Sequence, residues 1–182
     1  MTRTIYFIRH GEPDTSVHDD QTRPLTPYGQ QQAQQLMLVF HDLEITAVYA
    51  SPFQRAVDTV TPLAKDHGLS VHQSDQLKER QMPGWVTHFD QYVDRQWQDL
   101  DFAETGGESI HTVQARYLAF LQQLPPTGTF IIGSHGTAMS SIVQYSQPGQ
   151  GKRYFQSLQG HYAKWFKLLE LDGRPVQLFL EE

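Results

Sequence analysis

Short apolar runs alternate with helical patterns along the chain, and this alternation constrains the fold more than any other feature. Thr4–Ile8, Ile45–Ala50 and Phe130–Ile132 are β-rich runs, and a segment with helical periodicity follows each of them. The spacing is typical of strand–helix units, in which consecutive strands run in the same direction. The sequence therefore predicts an α/β fold with a mostly parallel sheet.

The C-terminal part departs from this alternation. Two apolar runs, Lys164–Leu171 and Val176–Leu180, flank the turn dipeptide Asp172-Gly173. Such a pattern predicts an antiparallel hairpin, which we expect at one edge of the sheet. We find no internal repeat and no linker, so we predict a single domain over residues 1–182.

Residues 77–107 are less regular than the rest of the chain. Trp85, Phe89 and Tyr92 recur at helical spacing and predict a helix from about Val86 to Leu100. Their aromatic side chains are more typical of a core than of a substrate contact. We interpret the segment as a small insertion resembling a cap.

Basic side chains and histidines follow three of the predicted strands. Arg9-His10-Gly11 ends the first strand and His135-Gly136 follows a later one, while Arg55 lies in the first helical turn after the run that ends at Ala50. Because parallel strands present their carboxyl ends at one edge of a sheet, we expect these side chains to meet there. Arginine forks match phosphate oxygens, so the sequence predicts a phosphate site.

Composition excludes several other functions. The chain contains no cysteine, which excludes disulfides, thiolate metal sites and a cysteine nucleophile. Its 14 Lys and Arg against 20 Asp and Glu leave a net charge of −6, which disfavours nucleic acid as a partner. No apolar run approaches the roughly 18 residues of a membrane span. We expect a soluble, cytoplasmic protein without a membrane partner, and nothing in the sequence indicates an oligomeric state.

Five motifs occur in an order that resembles the histidine phosphatase superfamily, also called the phosphoglycerate mutase-like family, and in particular its phosphatase branch. They are Arg9-His10-Gly11-Glu12, Ser51-Pro52-Phe53-Gln54-Arg55-Ala56, Leu77-Lys78-Glu79, Gly107-Glu108-Ser109 and Ser134-His135-Gly136. The resemblance covers residues 5–140 and implies a three-layer α/β/α architecture.

The resemblance also implies a role for each candidate residue. His10 matches the nucleophile that forms a phosphohistidine, and Glu79 matches the proton donor to the leaving group. Arg9, Arg55 and His135 match the pocket that holds the phosphate together with His10. The family's chemistry implies neither a metal nor another cofactor, and the implied partner is a small phosphate monoester.

Other interpretations of these residues remain open at the level of sequence. Arg9 and Arg55 are also compatible with surface ion pairs, and Glu79 with a solvated charge run, Lys78-Glu79-Arg80. To act as an acid near neutral pH, the Glu79 carboxyl group needs to remain protonated. We hypothesise that Met82 and Trp85 desolvate it.

Departures from the family pattern bear on the substrate. Many members carry a phosphate-binding asparagine shortly after the Arg-His-Gly motif, whereas this chain has no asparagine and offers Ser16 or a neighbour in that region. The long basic insertions of the mutases are absent as well, which favours hydrolysis. A mutase-type phosphotransferase and a non-catalytic module that binds a phosphorylated ligand or a protein are the alternatives.

Overall fold

Six strands form one sheet in the computed structural model, which describes residues 1–181. The strands lie in the order β3-β2-β4-β1-β5-β6. Their bounds are β1 Thr2–Arg9, β2 Ala47–Ala50, β3 Val71–Gln73, β4 Gly128–Ser134, β5 Trp165–Leu171 and β6 Arg174–Leu180. The pairs β3–β2, β2–β4 and β4–β1 are parallel, and β5 runs antiparallel to both β1 and β6. The predicted mostly parallel sheet is confirmed.

Helices cover both faces of this sheet. Their bounds are α1 Pro27–Phe40, α2 Gln54–Asp66, α3 Phe89–Gln98, α4 Ile110–Leu121, α5 Gly136–Ser146 and α6 Gly151–Ser157. Tyr6 and Ile8 of β1 pack with α1 and α2 on one face. Ile5 and Phe7 alternate with them and pack with α4, α5 and α6 on the other face. The three-layer α/β/α architecture is confirmed.

The C-terminal hairpin lies where the sequence predicts it. Asp172 and Gly173 form the turn between β5 and β6 with φ angles of +51° and +75°, as a tight hairpin turn requires. Because β6 has one neighbour only, the hairpin forms an edge of the sheet. Within residues 1–181, no helix combines the length and the apolar character that crossing a bilayer requires.

Two elements differ from the predictions. The helix predicted from about Val86 to Leu100 is shorter, because α3 begins at Phe89 and ends at Gln98. Trp85 therefore lies outside the helix, where its side chain is 95% exposed. The sequence analysis also missed α6, since seven residues are too few to show helical periodicity.

Candidate active site

An open cleft of about 980 Å³ lies at the edge where the parallel strands end. Arg9 is the last residue of β1 and His10 follows it, whereas His135 follows β4 and Arg55 lies in the first turn of α2. The backbone N–H of His10 donates to the carbonyl of Ser134 at 3.1 Å, which joins the ends of β1 and β4. The order of the elements thus brings three separate sequence segments to one place.

The predicted site residues meet at this cleft. Arg9, His10, Arg55 and Glu79 line it. His135 is fully buried beside it, with its ring centroid 5.4 Å from that of His10. Their roles stay predictions, but the structure places all five together.

The His10 ring is fixed by its own backbone turn. Its Nδ1 lies 2.8 Å from the carbonyl oxygen of Gly11. Since a carbonyl only accepts, Nδ1 carries the hydrogen and Nε2 keeps its lone pair in a neutral ring. Burial and then the charge of Arg55 lower the pKa of His10 well below its usual range. The imidazole is therefore neutral at neutral pH, with Nε2 as its nucleophilic atom.

The turn after His10 is held by a residue that the sequence analysis missed. The backbone N–H of Gly11 donates to Thr59 Oγ1 at 2.8 Å, and the Thr59 hydroxyl donates to the carbonyl of Arg55 at 2.7 Å. A Cβ at Gly11 would lie 2.7 Å from the carbonyl oxygen of Gly29, so only glycine fits there. Thr59 thereby connects the turn at His10 to the helix that carries Arg55.

His135 carries an unsatisfied hydrogen-bonding capacity. Both of its ring nitrogens are buried and have no hydrogen-bond partner among residues 1–181. The Phe53 ring packs against it at 5.2 Å, centroid to centroid. Burial, followed by the neighbouring His10 and Arg55, lowers the pKa of His135 well below its usual range. A neutral buried imidazole with a free N–H is suited to receive an acceptor atom of a ligand.

The guanidinium of Arg9 is anchored from one side. One terminal nitrogen donates to the carbonyls of Leu158 and His161, the latter at 2.5 Å, and Arg9 Cζ lies 4.6 Å from the ring centroid of Tyr162. Arg9 Nε is buried without a partner among the described residues. Burial lowers the pKa of Arg9, but guanidinium groups remain charged in proteins. Arg9 therefore brings a fixed positive charge and a free donor.

Arg55 forms an ion pair with Asp20, which lies in the loop after β1. Its Nη1 donates to the backbone carbonyl of Asp20 at 2.6 Å and lies 3.1 Å from Asp20 Oδ1. Arg23 Nη1 contacts the same carboxylate oxygen at 3.2 Å. The Asp20 side chain is half exposed. An incoming phosphate would therefore compete with a resident carboxylate for Arg55.

Glu79 is held by backbone amides at the start of α5. The N–H of Thr137 donates to Oε2 at 3.0 Å, and the N–H groups of Ala138 and Arg80 donate to Oε1 at 3.1 Å and 2.6 Å. Oε2 thus has a single donor and Oε1 has two. The contact places the carboxyl group next to the His135-Gly136 turn.

Arg116 of α4 fixes the segment that carries Glu79. Its guanidinium donates to the carbonyls of Gln76, Lys78 and Glu79 at 2.7–2.9 Å. Arg116 also pairs with the carboxylate of Glu108, to which its Nε and Nη2 donate at 2.9 Å each. No local pattern identifies Arg116 in the sequence, because its partners are far away along the chain.

The hypothesis about Trp85 is wrong, and the structure places Ser16 away from the cleft. Trp85 is exposed and does not line the cleft, so it cannot desolvate Glu79, whereas Met82 does line it. Ser16 does not line the cleft either, because its hydroxyl donates to Asp14 Oδ1 at 2.6 Å at the surface. Gln21 and Arg23, from the same loop, face the cleft instead. Within residues 1–181, no three His, Cys, Asp or Glu side chains are grouped closely enough to hold a metal ion.

Comparison with solved structures agrees with this fold. The mycobacterial glucosyl-3-phosphoglycerate phosphatase superposes with a TM-score of 0.77 at 20% identity, over 100% of this chain and 98% of the other. A phosphoserine phosphatase variant from Entamoeba histolytica, in complex with phosphoserine, superposes with a TM-score of 0.75 at 23% identity, over 96% and 94% of the two chains. These likenesses show the fold.

The sequence comparisons show the family. The probable phosphoglycerate mutase GpmB of Shigella dysenteriae is 27% identical over 155 residues, which cover 76% of this chain and 72% of that protein. The family profile of the histidine phosphatase superfamily (branch 1) matches residues 5–181. Because this match spans almost the whole chain, the protein belongs to the histidine phosphatase superfamily.

Proposed function

We propose that the protein hydrolyses a small phosphate monoester, without a metal, through a phosphohistidine on His10. One observation carries the proposal: two buried donors beside His10 have no hydrogen-bond partner within residues 1–181. They are Arg9 Nε and the ring N–H of His135. Unsatisfied buried donors cost stability, so their presence favours a ligand rich in acceptor oxygens. A phosphoryl group is such a ligand.

In the first step, His10 Nε2 attacks phosphorus and the bond to the leaving oxygen breaks. Arg9, Arg55 and His135 stabilise the charge on the phosphoryl oxygens, which is the main requirement of phosphoryl transfer. Glu79 Oε2 gives its proton to the leaving oxygen, so the product departs as an alcohol. His10 now carries the phosphoryl group.

In the second step, water attacks the phosphohistidine. Glu79 accepts a proton from that water, the bond between His10 Nε2 and phosphorus breaks, and inorganic phosphate leaves. The neutral imidazole and the protonated carboxyl group are restored. We propose that residues 77–107 act as a cap in this cycle, since Glu79, Met82 and Phe89 of this segment line the cleft.

The pairing of cleft cations favours hydrolysis over mutase transfer. A mutase has to retain a substrate that carries a second phosphate. Lys78 Nζ lies 2.9 Å from Asp75 Oδ1, and Arg116 is bound to Glu108. These two cations are paired with carboxylates, which makes them less available to a second phosphate.

The test is phosphate release from a panel of monoesters, with and without EDTA. We expect turnover in both conditions, loss of turnover in His10→Ala, and a covalent phosphoryl adduct after rapid quenching of the wild-type protein. His67→Ala is the matched control, because His67 also precedes a glycine but lies outside the cleft. Activity that persists in His10→Ala, or disappears with EDTA, would contradict the mechanism. Isomerisation of a phosphoglycerate with little phosphate release would show a mutase.

A further inference from the structure

The cleft is much larger than the phosphoryl group that the His10 end would hold. Its volume of about 980 Å³ lies in the range of pockets that enclose whole small-molecule ligands. A phosphoryl group fills a small part of this space, and the rest is available to the leaving group. The walls of that remaining space therefore determine which leaving group fits.

Apolar side chains form part of the cleft wall. Met82, Phe89 and Phe155 all line the cleft, and Phe89 is 50% exposed. Phe89 and Phe155 offer phenyl surface to the cleft that an apolar group of a ligand would cover. A second pocket of about 230 Å³ lies against the same two rings of Phe89 and Phe155, so both are accessible over more than one side.

Phe155 is held in place by the packing of α6 on α3. Its ring centroid lies 5.9 Å from that of Trp97. Gly151 at the start of α6 permits this approach, since a Cβ there would lie 2.7 Å from the Trp97 ring. The position of the Phe155 ring in the cleft is therefore fixed by its contact with Trp97.

Two cations on this side of the cleft are paired with carboxylates. Lys78 is paired with Asp75, and Arg116 with Glu108. Among the described residues, Arg80 has no carboxylate partner and its Nε is unsatisfied, but the side chain is only 7% exposed and its Nη1 donates to Gln96 Oε1 at 2.6 Å. An anionic leaving group would find few accessible cations, whereas an apolar one would cover exposed phenyl surface.

We infer that Phe89 and Phe155 form a subsite for the leaving group of the ester, and that this group is an alcohol with an aromatic ring or an extended apolar face. The inference rests on the proposed function, because it places the phosphoryl group at His10. Met82 borders the same subsite.

The test compares kcat/KM for 1-naphthyl phosphate and for glycerol 2-phosphate in Phe89→Ala, Phe155→Ala and Phe155→Leu. Contacts between aromatic rings contribute about 0.5–1.5 kcal/mol, so we expect a roughly two- to twelvefold loss in kcat/KM with the naphthyl ester. The loss with the glycerol ester should stay below about twofold, since that alcohol has no apolar face to cover. Trp85→Ala is the matched control, because Trp85 is an exposed aromatic residue of the same segment outside the cleft.

A binding measurement separates this inference from the proposed function. Calorimetry on His10→Ala and on the double variant His10→Ala/Phe155→Leu reports the affinity for both esters without turnover. Selective weakening of naphthyl ester binding by Phe155→Leu supports the subsite even if the wild-type protein hydrolyses neither ester. Equal losses with both esters, no loss with the naphthyl ester, or tighter binding of 3-phosphoglycerate than of the naphthyl ester would overturn it.

Discussion

Replacing Thr59 by valine tests how the turn at the proposed nucleophile is held. Thr59 is fully buried, and its hydroxyl accepts from the N–H of Gly11 while donating to the carbonyl of Arg55. Valine has nearly the same shape but no hydroxyl. The substitution therefore removes both hydrogen bonds and leaves the buried N–H of Gly11 without a partner.

The expected loss of stability comes mainly from that N–H group. The carbonyl of Arg55 lies within α2, where a backbone N–H also reaches it, so it stays satisfied. A buried donor without a partner costs about 1–3 kcal/mol. For a chain of this length, each kcal/mol lowers Tm by about 2–4 °C, so we expect Tm to fall by roughly 2–12 °C. Because the carbonyl of Gly11 orients the His10 ring, kcat should fall about ten- to a hundredfold.

The assay combines urea unfolding with turnover of p-nitrophenyl phosphate. Thr61→Val is the matched control, because the Thr61 hydroxyl donates to the carbonyl of Val57 at 2.7 Å in the same helix but accepts no N–H from the turn. We expect Thr61→Val to change the free energy of unfolding by no more than about 0.5 kcal/mol and to leave kcat unaltered. If Thr59→Val matched the control in both measurements, the turn would not depend on this hydroxyl.

Three further predictions concern charge and proton uptake. The folded-state pKa of His10 and of His135 is depressed, so below pH 6.5 the unfolded chain binds more protons than the folded protein. The free energy of unfolding therefore decreases as the pH is lowered, by up to about 2.7 kcal/mol per pH unit. Urea titrations should show about half that slope in His135→Gln. Arg116→Lys loses the guanidinium group that holds the segment of the proposed acid, Glu79. We therefore expect kcat to fall roughly tenfold on alkyl phosphates. The loss should be much smaller on p-nitrophenyl phosphate, whose leaving group needs no acid. Asp20→Asn weakens a half-exposed pair with Arg55, so the inhibition constant of inorganic phosphate should fall by up to about fivefold; an increase would show that Asp20 helps to bind phosphate.

The layers of the fold follow from local sequence patterns. The apolar run ending at Ile8 has buried residues on both sides because a parallel strand has helices on both faces. The turn at Asp172-Gly173 fixes the edge hairpin by its backbone conformation alone. By contrast, Gly151 of α6 approaches Trp97, which lies far away along the chain. Such a distant contact leaves no local periodicity in the sequence of α6.

The same distinction separates the candidate site residues. His10, His135 and Arg55 follow strand ends, so topology alone predicts that they meet. Glu79 lies in an irregular segment, and only the family resemblance pointed to it. Its position depends on α5 amides and on Arg116, contacts that no short pattern encodes.

The two halves of the proposed reaction are supported from opposite faces of the sheet. Thr59 of α2 holds the turn of the nucleophile, and Arg116 of α4 holds the segment of the acid. Because the two residues share no partner, the losses in unfolding free energy should add within about 0.5 kcal/mol in Thr59→Val/Arg116→Lys. The kcat losses of the two single variants should not multiply in the double variant, because attack and protonation belong to one transition state. Once the acid is displaced, further misalignment of the nucleophile costs less. A double variant whose kcat loss equals the product of the single losses would show that the nucleophile and the acid contribute independently to the transition state.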